Sequence, residues 1–498
     1  MRYTSTRDKN VSVESAQAIA AGISADGGLF VPVDIPKLTL DEIAAMANLS
    51  YIERAKRILS LYLTDFTEDE LDWCVSGAYG DGKFSSEEVA PLHELREGEE
   101  ILELWRGPTC AFKDMALQLL PRLMTVAVKK TDGSRETVIL VATSGDTGKA
   151  ALEGFKDVEG TRILVFYPVD GVSPMQKLQM TTQEGSNVAV CAIEGNFDDA
   201  QTGVKTIFTD KAIGEKLNDN GMAFSSANSI NWGRLVPQIV YYFSAYCDML
   251  KKGKIKAGDK INIVVPTGNF GNILAAYYAY EMGMPVNKLI CASNKNRVLT
   301  DFFETGVYDV NRDFYTTSSP SMDILISSNL ERLLFIAGGC SDEFVRSMMS
   351  KLKEDGKYEI PSEVMQKISA LFSSGCCDDE GTKRTIKEVF EKYDYLCDTH
   401  TAVAVEVYEK YLEASGDNTP TVIASTANPF KFSASVLEAV EPCKGDNLDE
   451  FSMVSELAKV TGACCPAQLA NLRDKEVRFT GVCNRDSMEK VVFELLGI

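Results

Sequence analysis

A chain of 498 residues, 45% hydrophobic and 25% charged, can bury a large core and has the composition of a soluble globular protein of two or three domains. Its formal net charge of −21 argues against a nucleic acid or an anionic membrane as partner, because no segment carries a compensating basic block. An anionic small molecule would need a local cationic or amide-lined site set against that field.

No apolar run approaches the roughly 18 residues of a membrane-spanning helix. The first residues, MRYTSTRDKNVSVESAQAIAAGIS, follow neither a signal-peptide nor a transit-peptide pattern, so a cytoplasmic setting is expected. The 13 cysteines contain no CxxC and read as reduced core thiols. His93 and His400 are the only histidines, too few for a catalytic zinc site, and no metal is expected.

In chain order, residues 1–95 form a leading unit. A glycine-rich turn at 22–32 (GISADGGLFVP) enters a short strand, and helical spacing follows at 40–47, 51–63 and 69–78. Thr67 is the expected N-cap of the third helix, with Glu70 in the capping-box position. From about residue 99 the pattern alternates. Strands are predicted at 138–142, 163–167, 188–193, 261–266, 289–292 and 422–425, and helices at 148–155, 174–182, 197–208, 232–250 and 272–282. Short apolar strands joined by helices predict an α/β protein with two helix-covered, mostly parallel sheet lobes and ligand sites at the carboxyl ends of the strands. The lobes are expected at 96–250 and 251–435, parted by the polar 251–260 segment, with a helix-rich insertion at 297–392 and a C-terminal extension at 436–498.

The stretch 106–114, RGPTCAFKD, puts Lys113 at the start of an apolar run whose spacing predicts one helix beginning near Phe112. A lysine there is ordinarily solvated. Next to Phe112 and Ala111, after a Gly-Pro turn, it would sit at the mouth of an interior, where desolvation favours the nucleophilic amine. Three loops then follow strands and precede helices, the arrangement that offers backbone amides to an anion: Ser144, Gly145, Asp146, Thr147 and Gly148; Gly268, Asn269, Phe270, Gly271 and Asn272; and Ser425 to Pro429, where Thr426 offers a hydroxyl. The first fails the nucleotide-hydrolase phosphate-loop pattern and the second lacks dinucleotide spacing. Finally, Asn228, Ser229, Asn231 and Arg234 gather carboxamides, a hydroxyl and a guanidinium before a helix, which suits a phosphate ester; a capped helix start with a solvated arginine is the structural alternative.

The strings GISADGGLFVP, GPTCAFKD, ATSGDTG, SPMQKLQM, SANSINWGR, VPTGNFGN, DTHTAVA and STANPFKF, in that order, resemble the threonine synthase family of fold-type II, tryptophan-synthase-β-like pyridoxal 5'-phosphate enzymes. The resemblance spans nearly the whole chain. It implies that Lys113 forms the Schiff base with the cofactor, with Phe112 near the ring. It also implies that Gly268 to Asn272 cradle the cofactor phosphate and that Thr426 faces the pyridine nitrogen. The Ser144 to Gly148 loop would hold the substrate α-carboxylate, and Asn228, Ser229, Asn231 and Arg234 its phosphate. The implied substrate is O-phospho-L-homoserine, converted with water to L-threonine and phosphate by γ-elimination and β-addition. Lys113 would be the proton carrier, in keeping with a chain nearly free of histidine. Monomer and homodimer both stay open. The alternatives are a dehydratase or another β-replacement lyase of the same fold, and, from another class, a binding protein that has kept the fold. Two positions depart from the family pattern: Asn428 where histidine is usual, and Thr399 where proline is usual. His400 reads as a structural residue at a helix start.

Overall fold

The computed structural model describes residues 1–498 except Asp132, Ser134, Ser144 and Gly171. Two parallel sheets carry the fold. The larger has the strand order Phe372–Cys376, Val286–Ser293, Ile261–Pro266, Thr421–Ser425, Glu99–Glu103 and Leu92–Arg96, parallel throughout except for the final hairpin pair. The smaller runs Val482–Asn484, Val188–Glu194, Thr161–Pro168, Glu136–Ala142 and Met222–Ser225, all parallel. Sheet membership does not follow chain order: Glu99–Glu103 pairs beside Thr421–Ser425 across the whole central chain, and Val482–Asn484 returns to the edge of the smaller sheet. The central strands Ile261–Pro266 and Thr421–Ser425 are buried along their whole length, as expected of parallel strands covered on both faces.

The helix Trp232–Lys251, packed among other helices, is buried over nearly its whole length, with Trp232, Tyr241, Tyr242, Phe243 and Tyr246 shielded from solvent. A helix apolar all round belongs in an interior. The leading unit packs on it: Arg54 of the helix Tyr51–Tyr62 meets Asp248 at 2.7 Å, and Tyr3 and Tyr62 lie edge-on to Trp232. Thr67 caps the helix Glu68–Tyr79 in a capping box with Glu70, as its sequence predicts.

The expected single helix after Lys113 is instead two, Asp114–Leu117 and Leu120–Thr131. Pro121 has no amide proton to give the Leu117 carbonyl, and the backbone of Gly154 packs directly on that carbonyl, leaving no room for a side chain. The Lys113 segment is therefore a turn with four helical residues, braced from below.

Candidate active site

Loops from the carboxyl ends of both sheets meet around Lys113. Its own turn is closed by Asp114, whose buried carboxylate accepts from the Thr109 amide at 2.8 Å and the Thr109 hydroxyl at 2.7 Å. Burial pushes the Asp114 carboxyl up to about 6 in spite of those two bonds. Gly107 is required here, since a Cβ would lie 2.6 Å from the Asp114 side chain. The turn is sewn to the third loop: Ala111 bridges Ala427, the Phe112 amide donates to the Thr426 carbonyl at 2.8 Å, and the Asn428 amide to the Cys110 carbonyl at 3.0 Å. Lys113 and Thr426, far apart in sequence, are thus fixed in one register.

Lys113 is 8% exposed. Its Nζ lies 3.2 Å from Ser321 Oγ, 3.9 Å from Asp146 Oδ2 and 4.9 Å from the centre of the Phe112 ring. Burial brings its pKa down to about 8, helped by the positive charges of Lys431 and Arg234 and opposed by Asp146.

In the first loop Ser144 lies outside the described residues. Thr143 Oγ1 accepts from the amides of Gly145 and Gly148, each at 3.0 Å, shaping the turn into the helix Asp146–Phe155 on which Thr147 and Gly148 sit. The Asp146 carboxylate is buried and accepts from Lys431 Nζ at 2.9 Å and Gln176 Nε2 at 3.3 Å. Burial works to raise its pKa, but Lys431 and Lys113 overcome this and hold it well below the usual carboxylate range. Asp146 is therefore a fixed anion already supplied with donors.

The second loop turns on Phe270, in left-handed conformation at φ 63°, into the helix Gly271–Glu281. Asn269 is anchored through its carbonyl, which accepts from Asn329 Nδ2 at 3.0 Å. The Gly268 carbonyl accepts from Ser327 Oγ at 2.7 Å, and a Cβ on Gly268 would meet the Ser321 carbonyl at 2.5 Å. Gly271 differs: a Cβ there would find nothing nearer than Asn329 Nδ2 at 3.5 Å, so the polypeptide alone does not demand glycine. Asn272 Oδ1 accepts from Tyr241 at 2.6 Å and Tyr242 at 2.5 Å, while its buried Nδ2 has no partner among the described residues.

Arg234 projects from the helix capped by Asn231. It is 5% exposed, its Nη1 donates to the Ala227 carbonyl at 2.9 Å, and its Nε has no partner among the described residues. Burial without a carboxylate brings its pKa down to about 10. Asn231 serves the fold: its Oδ1 accepts from the Gly233 amide, and its Nδ2 donates to the carbonyls of Ile19 and Ser226. Both of its amide hydrogens are committed, so it has no free donor for a phosphate in this conformation. Asn228 is exposed and Ser229 partly exposed beside it.

The Thr426 residue is 5% exposed. Of the two departures, Asn428 caps the short turn Pro429–Phe432 through Oδ1, which accepts from the Phe430 amide at 3.0 Å. Thr399 is the first residue of the helix Thr399–Ser415, a position where proline is equally at home because its amide needs no helical partner. Lys431 and Ser321 escaped the sequence reading. Lys431 lies in the quoted STANPFKF string, a lone cation in an apolar segment, which was a usable signal; Ser321 has none.

The set fits pyridoxal phosphate. A buried amine poised near neutrality, an uncrowded glycine at a helix start and two buried donors, Asn272 Nδ2 and Arg234 Nε, without protein partners are what a Schiff-base phosphate cofactor and an anionic substrate require. The family model described as "Pyridoxal-phosphate dependent enzyme" matches residues 90–426. Fold and site thus define a pyridoxal-phosphate-dependent enzyme. The models "Threonine synthase N terminus" and "Threonine synthase, C-terminal" match residues 2–79 and 401–492. Threonine synthase of Pseudomonas aeruginosa is 40% identical over 97% of this chain and 96% of its own. The crystal structure of the PLP-bound enzyme from Brucella melitensis superposes with a TM-score of 0.88 at 37% identity, covering 99% of both chains. That of the yeast enzyme gives 0.89 at 32% identity over 100% of this chain and 99% of the other. The chain belongs to the threonine synthase family. It spans 58% of the length of some curated relatives, among them threonine synthase-like 1 of Homo sapiens, at 38% identity.

Proposed function

We propose that this chain converts O-phospho-L-homoserine and water to L-threonine and phosphate. The observation that carries the reading is Arg234, buried, with no carboxylate partner and no bond to Nε among the described residues, and one of the charges that act on Lys113. A cation left so is costly unless an anion completes it. An unphosphorylated amino acid would leave it incomplete, which disfavours the dehydratase reading.

Lys113, Phe112, Gly268 to Asn272 and Thr426 would hold the cofactor, and the Ser144 to Gly148 loop, Asn228, Ser229 and Arg234 the substrate. Pyridoxal phosphate, when bound, supplies the electron sink that makes protons next to the substrate's amino-bearing carbon removable. Lys113 takes and returns those protons as a buried amine near neutrality, the task for which a pKa of about 8 is suited. Arg234 receives the charge that grows on the departing phosphate. Asp146, neutralised by Lys431, keeps Lys113 from drifting too far toward its free-amine form. The substrate is a small molecule, the setting cytoplasmic, and the protein a monomer or homodimer; no helix among the described residues is long and apolar enough to cross a membrane.

The test is phosphate release from O-phosphohomoserine with threonine identified as product. Purified protein that shows a cofactor band and releases no phosphate from this substrate sinks the reading.

A further inference from the structure

Among the described residues one hydroxyl contacts Lys113, and that hydroxyl is carefully held. Ser321 Oγ lies 3.2 Å from Lys113 Nζ. Ser321 sits in the short turn Pro320–Met322, inside the helix-rich stretch, and its backbone amide donates to His400 Nε2 at 3.2 Å. On the other side of the ring His400 Nδ1 lies 2.8 Å from Asp398 Oδ1. Asp398 and His400 are 0% and 2% exposed.

These contacts fix the histidine's role. A nitrogen that accepts from a backbone amide carries no proton, so the single imidazole proton resides on Nδ1 and is given to Asp398. Asp398 in turn is anchored at the start of the helix Thr399–Ser415, where it accepts from the His400 amide at 2.9 Å and from the Thr401 hydroxyl. Phe432 closes the ring edge-on, its centroid 4.9 Å from that of His400. The far end of the turn is held separately: Asn294 Nδ2 donates to Ser319 Oγ at 3.0 Å and to Asp323 Oδ1 at 2.8 Å. The Ser321 carbonyl packs on Gly268 of the phosphate-type loop. One short turn thus links the lysine, the second glycine loop and a buried acid–imidazole pair.

We infer that Ser321 is a further catalytic residue, whose hydroxyl orients the Lys113 amine, and that His400 and Asp398 are positioning residues that hold Ser321 in place. A hydroxyl is suited to this task because it donates to a neutral amine and accepts from an ammonium by rotating about one bond. The lysine keeps a partner on both sides of each proton transfer, and the reacting nitrogen stays aimed when it is free. His400 is then not a proton carrier: its acceptor nitrogen is occupied by the amide. The inference rests on Lys113 being the proton-carrying amine of the proposed reaction.

The experiment compares holoenzyme with Ser321→Ala, Ser321→Thr, His400→Leu and His400→Gln. The readouts are kcat and KM for phosphate release, and the pH titration of the visible band of the lysine-linked cofactor, which does not depend on turnover. Expected are a kcat lower by about 10- to 100-fold in Ser321→Ala with KM within about threefold, and a displaced pH titration. Ser321→Thr keeps a hydroxyl and should recover most of kcat. His400→Leu should show the same split, and His400→Gln, whose Oε1 can stand in for the Nε2 acceptor, should recover part of it. Wild-type kcat and titration in Ser321→Ala, or an equal loss in Ser321→Thr, overturns the inference. If Ser321→Ala does not take up cofactor, Ser321→Gly, which also lacks the hydroxyl, replaces it, and an unchanged kcat there is equally fatal. If wild-type protein releases no phosphate, the functional reading fails by itself, while the titration still decides whether Ser321 touches the amine.

Discussion

Lys431 Nζ lies 2.9 Å from Asp146 Oδ1, and the other oxygen of the same buried carboxylate lies 3.9 Å from Lys113 Nζ. One anion therefore serves two lysines, and the balance between them sets the state of the reactive amine. Removing either partner should shift Lys113 in opposite directions: Lys431→Met leaves Asp146 to Lys113 alone and raises its pKa, whereas Asp146→Asn lowers it. The midpoint for amine labelling of Lys113 in cofactor-free protein should move by about one pH unit each way, equivalent to about 1.4 kcal/mol. Each change also strands a buried charge, for which a stability loss of about 3 to 5 kcal/mol in urea unfolding is expected. Identical midpoints in all three proteins would remove the pair from this role.

In the parent protein that midpoint should itself fall near pH 8, because burial disfavours the ammonium. At pH 7 about a tenth of the amine is neutral, so the labelling rate should climb close to tenfold per unit below pH 8 and level off above it. The linkage has a definite sign. Between pH 8 and the ordinary lysine value of about 10.4 the unfolded chain binds a proton that the folded chain does not, so this group adds stability as pH rises through that window. A labelling midpoint above pH 10 would contradict the burial of Lys113.

Arg234 separates stability from function. Its Nε is buried and without a partner among the described residues, so Arg234→Met should leave cofactor-free stability unchanged or higher, since a desolvated cation is lost. Inorganic phosphate should raise the melting temperature of the parent protein and not that of the variant. KM for the phosphorylated substrate should rise about 10- to 100-fold, equivalent to a lost charged hydrogen bond of about 1.5 to 3 kcal/mol, with the cofactor band intact. A KM unchanged by the substitution would detach Arg234 from the substrate phosphate.

Two glycines of one loop should respond differently. Gly268→Ala drives a Cβ to 2.5 Å from the Ser321 carbonyl, a backbone atom that must move, and should destabilise by about 1 to 3 kcal/mol. Gly271→Ala meets only ordinary contacts at a helix start and should be as stable as the parent or gain up to about 1 kcal/mol. It should nonetheless bind pyridoxal phosphate less tightly, because its hydrogen is the surface a phosphate would approach. Fluorescence titration with the cofactor checks the contrast; equal affinity in Gly271→Ala and parent would place the phosphate elsewhere.

Residue order alone carried a good deal. The strands and helices predicted between 138 and 282 rest on local side-chain alternation and appear in the fold within a residue or two, whereas the helix Lys211–Asp219 and the edge strand Met222–Ser225 were not predicted. The glycine loops were visible after a strand and before a helix, and Lys113 and Arg234 as residue types at expected helix starts. The Thr67–Glu70 capping box was legible because its geometry spans a single turn.

The tertiary structure alone decided what those residues face. The break in the helix after Lys113 had a local signal in Pro121, but the packing of Gly154 on the Leu117 carbonyl is a contact no local window contains. Asn231, one of a promising polar cluster, spends its amide on Ile19, and that partner comes from the leading unit. Lys431 reaches Asp146, and Ser321 reaches Lys113, from positions hundreds of residues away; for Lys431 the cause is that parallel strands bring the loops at their carboxyl ends to one edge. Sequence spacing specifies which groups can do chemistry. Which of them meet, and which are already satisfied by a neighbour, is fixed only when desolvation and packing have brought distant segments together, since charge and hydrogen-bond partners act over a few ångströms of space and not along the chain.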